Sequence, residues 1–192
     1  SSILFDLDGT LMNYTPTWTN LMNQKYPDIT FVEQYPMTEF LIKSKSALAG
    51  QFSQDLIHKN RFYADEQIYP ECFKLIDQLI KQKFDVWFVT SPIGSYNKRL
   101  CIVEKQAQIQ RFFGVAMLNK IIFSSQKYQV PGQYLVDDQP NHPKEEKLAE
   151  WKAILVEHPY NVKVECTRRV SLNKFVDDFW NIFKRDQADV KQ

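Results

Sequence analysis

Glycine is scarce in this chain of 192 residues: there are 5, where average usage of about 7% would give roughly 13. That shortage disfavours functions built on several glycines, and neither the dinucleotide fingerprint nor the P-loop pattern occurs. Cysteine is sparse too. Cys72, Cys101 and Cys166 lie far apart, form no metal-ligand pair and leave an odd count, which suits a reducing, cytoplasmic setting. No apolar run approaches the roughly 20 residues that span a bilayer, so no membrane partner is expected. The opening Ser1-Ser2-Ile3-Leu4-Phe5 reaches Asp6 before a signal-peptide core can form. Neither sign of charge dominates, 24 Lys+Arg standing against 23 Asp+Glu. A field that weak argues against a nucleic-acid partner.

What is present is apolar material, 44% of the chain, with 14% aromatic residues. Ile3-Leu4-Phe5 reads as a short buried strand that stops at Asp6-Leu7-Asp8-Gly9-Thr10. Residues 15–67 show no strand pattern but contain helix-compatible pieces at Pro16–Lys25, Met37–Ala49 and Gln54–Tyr63. Pro70 opens a helix whose apolar stripe is Cys72, Phe73, Ile76, Leu79 and Ile80. Further strands are expected at Phe84–Val89, Ile121–Phe123, Tyr134–Val136 and Ala153–Val156, with a helix from Tyr96 to Phe113. Leu172, Phe175, Val176, Phe179, Trp180 and Phe183 mark a last amphipathic helix.

Strands alternating with helices imply an α/β fold: a Rossmann-like, mostly parallel sheet with helices on both faces. A small helical cap over 15–67 is expected after the first strand, with residues 1–14 and 68–192 forming the core. In such sheets ligands sit beyond the carboxyl ends of the strands. Three strands here end in polar clusters: Asp6/Asp8, Thr90/Ser91 and Asp137/Asp138. Taken singly, each has a plain alternative. Asp6-x-Asp8 can be an Asx turn, Thr90-Ser91-Pro92 a helix cap, and Asp137-Asp138 a turn before Pro140. Lys127 alone reads as a solvated surface lysine, and His142 as a loop residue.

In order and together, these segments resemble the haloacid dehalogenase-like hydrolases, whose first motif is similar to Asp6-Leu7-Asp8-Gly9-Thr10-Leu11. The resemblance implies that Asp6 attacks phosphorus to form an aspartyl phosphate, with Asp8 as general acid and base. It implies hydroxyl donation to phosphate by Thr90 or Ser91 and charge neutralisation by Lys127. It also implies a Mg2+ cofactor held by Asp6, the backbone carbonyl of Asp8 and Asp138. Asp137 would be a supporting group or an alternative ligand.

Within that superfamily the chain resembles the 5′(3′)-deoxyribonucleotidases. The shared segments are Phe88-Val89-Thr90-Ser91-Pro92, Val103-Glu104-Lys105, Ile121-Ile122-Phe123 with Lys127, Val136-Asp137-Asp138, Trp151–Leu155 and Asp178–Phe183. This implies a phosphatase for (deoxy)nucleoside monophosphates, with homodimerisation as a family possibility. Cap aromatics would close on the base, which makes Trp18, Phe31, Phe62 and Tyr63 the candidates. Departures are the Gly9-Thr10-Leu11-Met12 continuation, where valine is more usual after the glycine, and Gln139 where a basic residue is common. A phosphatase for another small phosphometabolite, or a non-catalytic binding protein on the same fold, is the alternative reading.

Overall fold

The computed structural model describes residues 2–28, 52, 55–56, 61–92 and 98–189. Strand β1 (Ser2–Phe5) leads to β2 (Met12–Asn13) and helix α1 (Tyr14–Lys25). After the return strand β3 (Gln67–Ile68), the order is α2 (Pro70–Lys81), β4 (Asp85–Thr90), α3 (Lys98–Phe113), β5 (Ile121–Phe123) and β6 (Tyr134–Asp137). The chain closes with the one-turn α4 (His142–Glu145), β7 (Lys152–Val156), β8 (Arg169–Val170) and α5 (Phe175–Asp189).

Six strands form one sheet in the order β5-β4-β1-β6-β7-β8. Every pairing in it is parallel, β1 lying between β4 and β6. A parallel neighbour requires a crossover on a sheet face, so both faces are covered and the strands read as apolar runs. Alternation sorts their side chains. Ile3, Phe5, Val86, Phe88, Tyr134, Val136, Ile154 and Val156 enter the larger core, under α2 and α5. Leu4, Val89, Leu135 and Ala153 point to the other face, where Val130 and Trp151 cover them.

Details differ from the sequence reading for local reasons. The buried stripe of α2 is Cys72, Leu75, Ile76 and Leu79, whereas Phe73 and Ile80 are each 37% exposed. The i, i+3, i+4, i+7 spacing of the buried four is the better helical match. Strand β8 is a two-residue edge strand, too short to carry an alternation signal. β2 and β3 pair antiparallel at the two ends of the segment expected as a cap, Met12 opposite Ile68. The expected helix Met37–Ala49 lies outside the described residues, as does Phe31. Phe62 and Tyr63 occupy a turn rather than the end of a helix, with Arg61 at φ 70.

Candidate active site

The parallel order brings the carboxyl ends of β1, β4 and β6 side by side, and the three polar clusters with them. Asp6 follows β1 and is buried. Its N–H completes the ladder by donating to the Val136 carbonyl at 3.0 Å. Asp137 ends β6 and Asp138 follows it, both buried. One carboxylate oxygen from each of Asp6, Asp137 and Asp138 fits within a 4.8 Å sphere of mutual distance. Gly9 turns the chain back beside them at φ 78, and a Cβ there would stand 2.8 Å from the Asp138 carboxylate. No side chain fits at that corner.

Two lysines divide the carboxylates between them. Lys127, 4% exposed rather than solvated, places Nζ 2.6 Å from Asp6 Oδ1 and 2.6 Å from Asp137 Oδ2. Its backbone is fixed by Trp151, whose Nε1 donates to the Lys127 carbonyl at 3.0 Å. Lys105, fully buried on α3, donates to Asp8 Oδ2 at 2.5 Å, to Thr90 Oγ1 at 2.8 Å and to the Ser91 carbonyl at 3.0 Å. Thr90 therefore accepts from lysine and keeps its own proton free to donate. Ser91 Oγ instead donates to the Ser124 carbonyl at 3.2 Å. Of the two expected phosphate-binding hydroxyls, Thr90 is the one left as a donor.

Burial and crowding set the charges. Burial, opposed by Lys127 and reinforced by the neighbouring aspartates, raises the Asp6 pKa to about 7. Burial and Asp137 raise that of Asp138 to about 6. Burial pushes Asp137 the same way, but His142 and Lys127 outweigh it and hold its carboxyl well below the usual range. Lys127 is kept charged because Asp137 and Asp6 overcome its desolvation.

Asp138 is bracketed by hydroxyls: Thr10 Oγ1 donates to Oδ1 at 3.3 Å and Tyr160 to Oδ2 at 2.5 Å. Asn161 Nδ2 holds the Asp138 carbonyl at 2.9 Å, and His158 Nε2 lies 2.5 Å from the Gly9 carbonyl. The loop after β7 is thus a fourth strand end at the site, which sequence reading missed. Its residues have no fixed spacing from the aspartates and meet them only across the β6–β7 pairing. Lys105 was missed as a functional group as well. It sits inside the Val103-Glu104-Lys105 segment, so the signal was present without a role attached. At Gly132 a Cβ would stand 2.8 Å from Leu4 Cγ.

The aromatic candidates are packed elsewhere. Trp18 is 1% exposed and Phe62 and Tyr63 are each 2%, in a cluster with Tyr14, Met22, Leu56 and Cys101. At that burial their rings pack against one another. Tyr63 also lies at the border of the catalytic cluster, its ring centroid 5.1 Å from Lys105 Nζ. The turn carrying it is clamped by α3. Glu104 accepts the N–H groups of Arg61 and Tyr63, and Gln108 donates to the Tyr63 carbonyl and to Glu66. Arg111 donates to the Ala64 and Glu66 carbonyls at 3.0 and 2.6 Å.

Comparison with known proteins adds the family context. Residues 1–182 match the family model described as 5′ nucleotidase, deoxy (pyrimidine), cytosolic type C. The chain is 26% identical over 184 residues to the mitochondrial 5′(3′)-deoxyribonucleotidase of Mus musculus, covering 92% of this chain and 82% of that one. It is 25% identical over 185 residues to the Homo sapiens mitochondrial enzyme, covering 92% and 79%. In fold it is similar to a haloacid dehalogenase-like family hydrolase from Streptococcus pneumoniae, with TM-score 0.58, 12% identity and 93% and 98% of the two chains covered.

Proposed function

Because the chain belongs to the deoxy 5′-nucleotidase family of cytosolic type C, we propose that it is a magnesium-dependent phosphatase of deoxynucleoside monophosphates working through an aspartyl phosphate. The observation that carries this reading is the separate lysine given to each carboxylate of the first motif. Lys127 holds Asp6, and Lys105 holds Asp8. Two carboxylates two residues apart are thereby kept in different environments, the arrangement that lets one act as nucleophile and the other move protons.

In this mechanism an Asp6 oxygen forms a bond to phosphorus while the bond to the ester oxygen breaks. The departing alkoxide takes the proton of Asp8. Water then attacks phosphorus, Asp8 takes a proton from it, and the Asp6–phosphorus bond breaks to release phosphate and restore the carboxylate. Thr90 and Lys105 line the path of the transferring oxygens. The donor set of buried carboxylates suits a hard divalent cation. Asp137 is tied to the charged Lys127 through Oδ2 and to the Gln139 N–H through Oδ1, whereas the donors on Asp138 are hydroxyls. Asp6, Asp138 and the Asp8 carbonyl are the groups that would hold Mg2+. When bound, the ion offsets the repulsion between an anionic nucleophile and an anionic phosphate.

A substrate panel tests the reading. Deoxynucleoside monophosphates are expected to give the highest kcat/KM, above ribonucleoside monophosphates and sugar phosphates. A clear sugar-phosphate preference would replace the substrate class while leaving the chemistry. The raised pKa values of Asp6 and Asp138 give a second expectation. Near pH 5 protons compete with the metal for both carboxylates, and above pH 7 they do not. Mg2+ should therefore raise the melting temperature more at pH 8 than at pH 5. An equal shift at both values would remove these two groups from the metal site. We place the protein in the cytoplasm on the small, odd number and wide spacing of its cysteines. Among the described residues, no helix is long and apolar enough to cross a membrane.

A further inference from the structure

Four side chains of alternating charge run from the proposed nucleophile toward the protein surface. Lys127 Nζ lies 2.6 Å from both Asp6 Oδ1 and Asp137 Oδ2. His142 Nε2 lies 3.1 Å from that same Asp137 Oδ2, an ion-pair distance at an angle outside hydrogen-bond geometry. His142 Nδ1 is 2.6 Å from Glu145 Oε2. The histidine side chain is 4% exposed and Glu145 33%, so the chain of contacts begins in the interior and ends at solvent. The imidazole also stands edge-on to Trp151, centroids 5.8 Å apart. Trp151 is the residue that holds the Lys127 carbonyl.

We propose that His142, oriented by Glu145, is a positioning residue that holds Asp137 and through it fixes Lys127 against the nucleophile. This rests on the phosphatase reading above. Once Asp6 has bonded to phosphorus it no longer carries a full charge, and Asp137 becomes the carboxylate that keeps Lys127 in place. Asp137 also lies within the acidic cluster, its ligand atom inside the 4.8 Å limit shared with Asp6 and Asp138. Without His142 its Oδ2 is free to turn into that cluster and carry Lys127 with it. Gln139 N–H, 2.8 Å from Oδ1, anchors only the other oxygen. Supporting partners of this kind are typically worth about 10–100-fold in affinity or activity.

The test uses the full-length protein with Mg2+, measuring kcat and KM on its best phosphomonoester and, by calorimetry, the affinity for inorganic phosphate. His142→Ala is expected to lower kcat and weaken phosphate binding by about tenfold each. His142→Gln, whose side-chain amide can offer an N–H to Asp137, is expected to recover most of both. In an Asp137→Asn background, His142→Ala should add little, because the effect passes through Asp137. Additive losses, losses that follow a lowered melting temperature without rescue by glutamine, or unchanged kinetics and binding in His142→Ala would each overturn the role. The two readings separate cleanly. Wild-type protein that binds phosphate in a His142-dependent way yet hydrolyses no phosphomonoester would sink the activity and leave the positioning role. Active protein indifferent to His142→Ala would do the reverse, and wild-type protein that binds no phosphate would overturn both.

Discussion

Replacing Asp6 by asparagine is expected to lower kcat by at least about 10³-fold, the scale on which deletion of a nucleophile is felt. The amide keeps the shape of the side chain and its place at the end of β1 but cannot form the acyl phosphate. The fold should not suffer. Burial raises the Asp6 pKa from 3.8 to about 7, with Lys127 opposing and the other aspartates reinforcing it. Well below pH 4 the residue is neutral in both folded and unfolded chains. Between pH 4 and 7 the unfolded chain ionises it while the folded chain keeps its proton, so the stability present in acid falls across that window and is lost by about pH 7. Asparagine avoids that cost. Without metal, Asp6→Asn should melt close to wild type at pH 4 and above it at pH 8, measured by circular dichroism in chelator. Near-normal turnover in the variant would end the aspartyl-phosphate mechanism.

Lys127→Met is expected to be the more damaging change, because it strikes stability and turnover together. The substitution leaves Asp6 and Asp137 without their shared cation inside the protein. Removing one partner of a buried pair typically costs about 3–5 kcal/mol. The loss should be greatest above pH 7, where Asp6 and Asp138 ionise, and should shrink toward pH 4 as both take up protons. Urea unfolding at the two pH values checks the sign. Turnover should fall by about 10²–10³-fold, as when a preorganised electrostatic partner of the transition state is deleted. A variant retaining activity within tenfold of wild type would show that Lys127 holds the site together without assisting the reaction.

Much of this arrangement was legible in the chain. Short apolar runs ending in Asp6, Thr90 and Asp137 announce strands with polar carboxyl ends, since a strand buried on both faces must be apolar until it emerges. The ordered recurrence of these ends, with Lys127 between the second and third, carries the family resemblance that implied phosphoryl chemistry. Lys105 and Glu104 were not legible as site residues. On a helix surface their polar side chains look like a solvated face; the fold sets the turn at residues 61–66 against Glu104, and Asp8, Thr90 and Ser91 against Lys105. Trp18, Phe62 and Tyr63 were ambiguous in the opposite direction, and the structure buries them together. An aromatic offers the same apolar surface to a core as to a base, and nothing local to it says which one it meets.

The sequence by itself determined the strand ends and the order of the motifs, and its resemblance to known hydrolases singled out Asp6, Asp8, Lys127 and Asp138 as candidates. Each of these is local, written in a few consecutive residues and in the period of the apolar pattern. Only the tertiary structure decided the pairings: Lys127 with Asp6 and Asp137, Lys105 with Asp8 and Thr90, His142 with Asp137, Tyr160 with Asp138. Those contacts join residues far apart in the chain, Asp8 and Lys105 being 97 positions apart, and depend on strand order in the sheet. The sequence has neither the dinucleotide nor the P-loop glycine pattern. Packing brings lysines and a hydroxyl to the sheet edge instead, with Gly9 kept as glycine where Asp138 leaves no room for a Cβ.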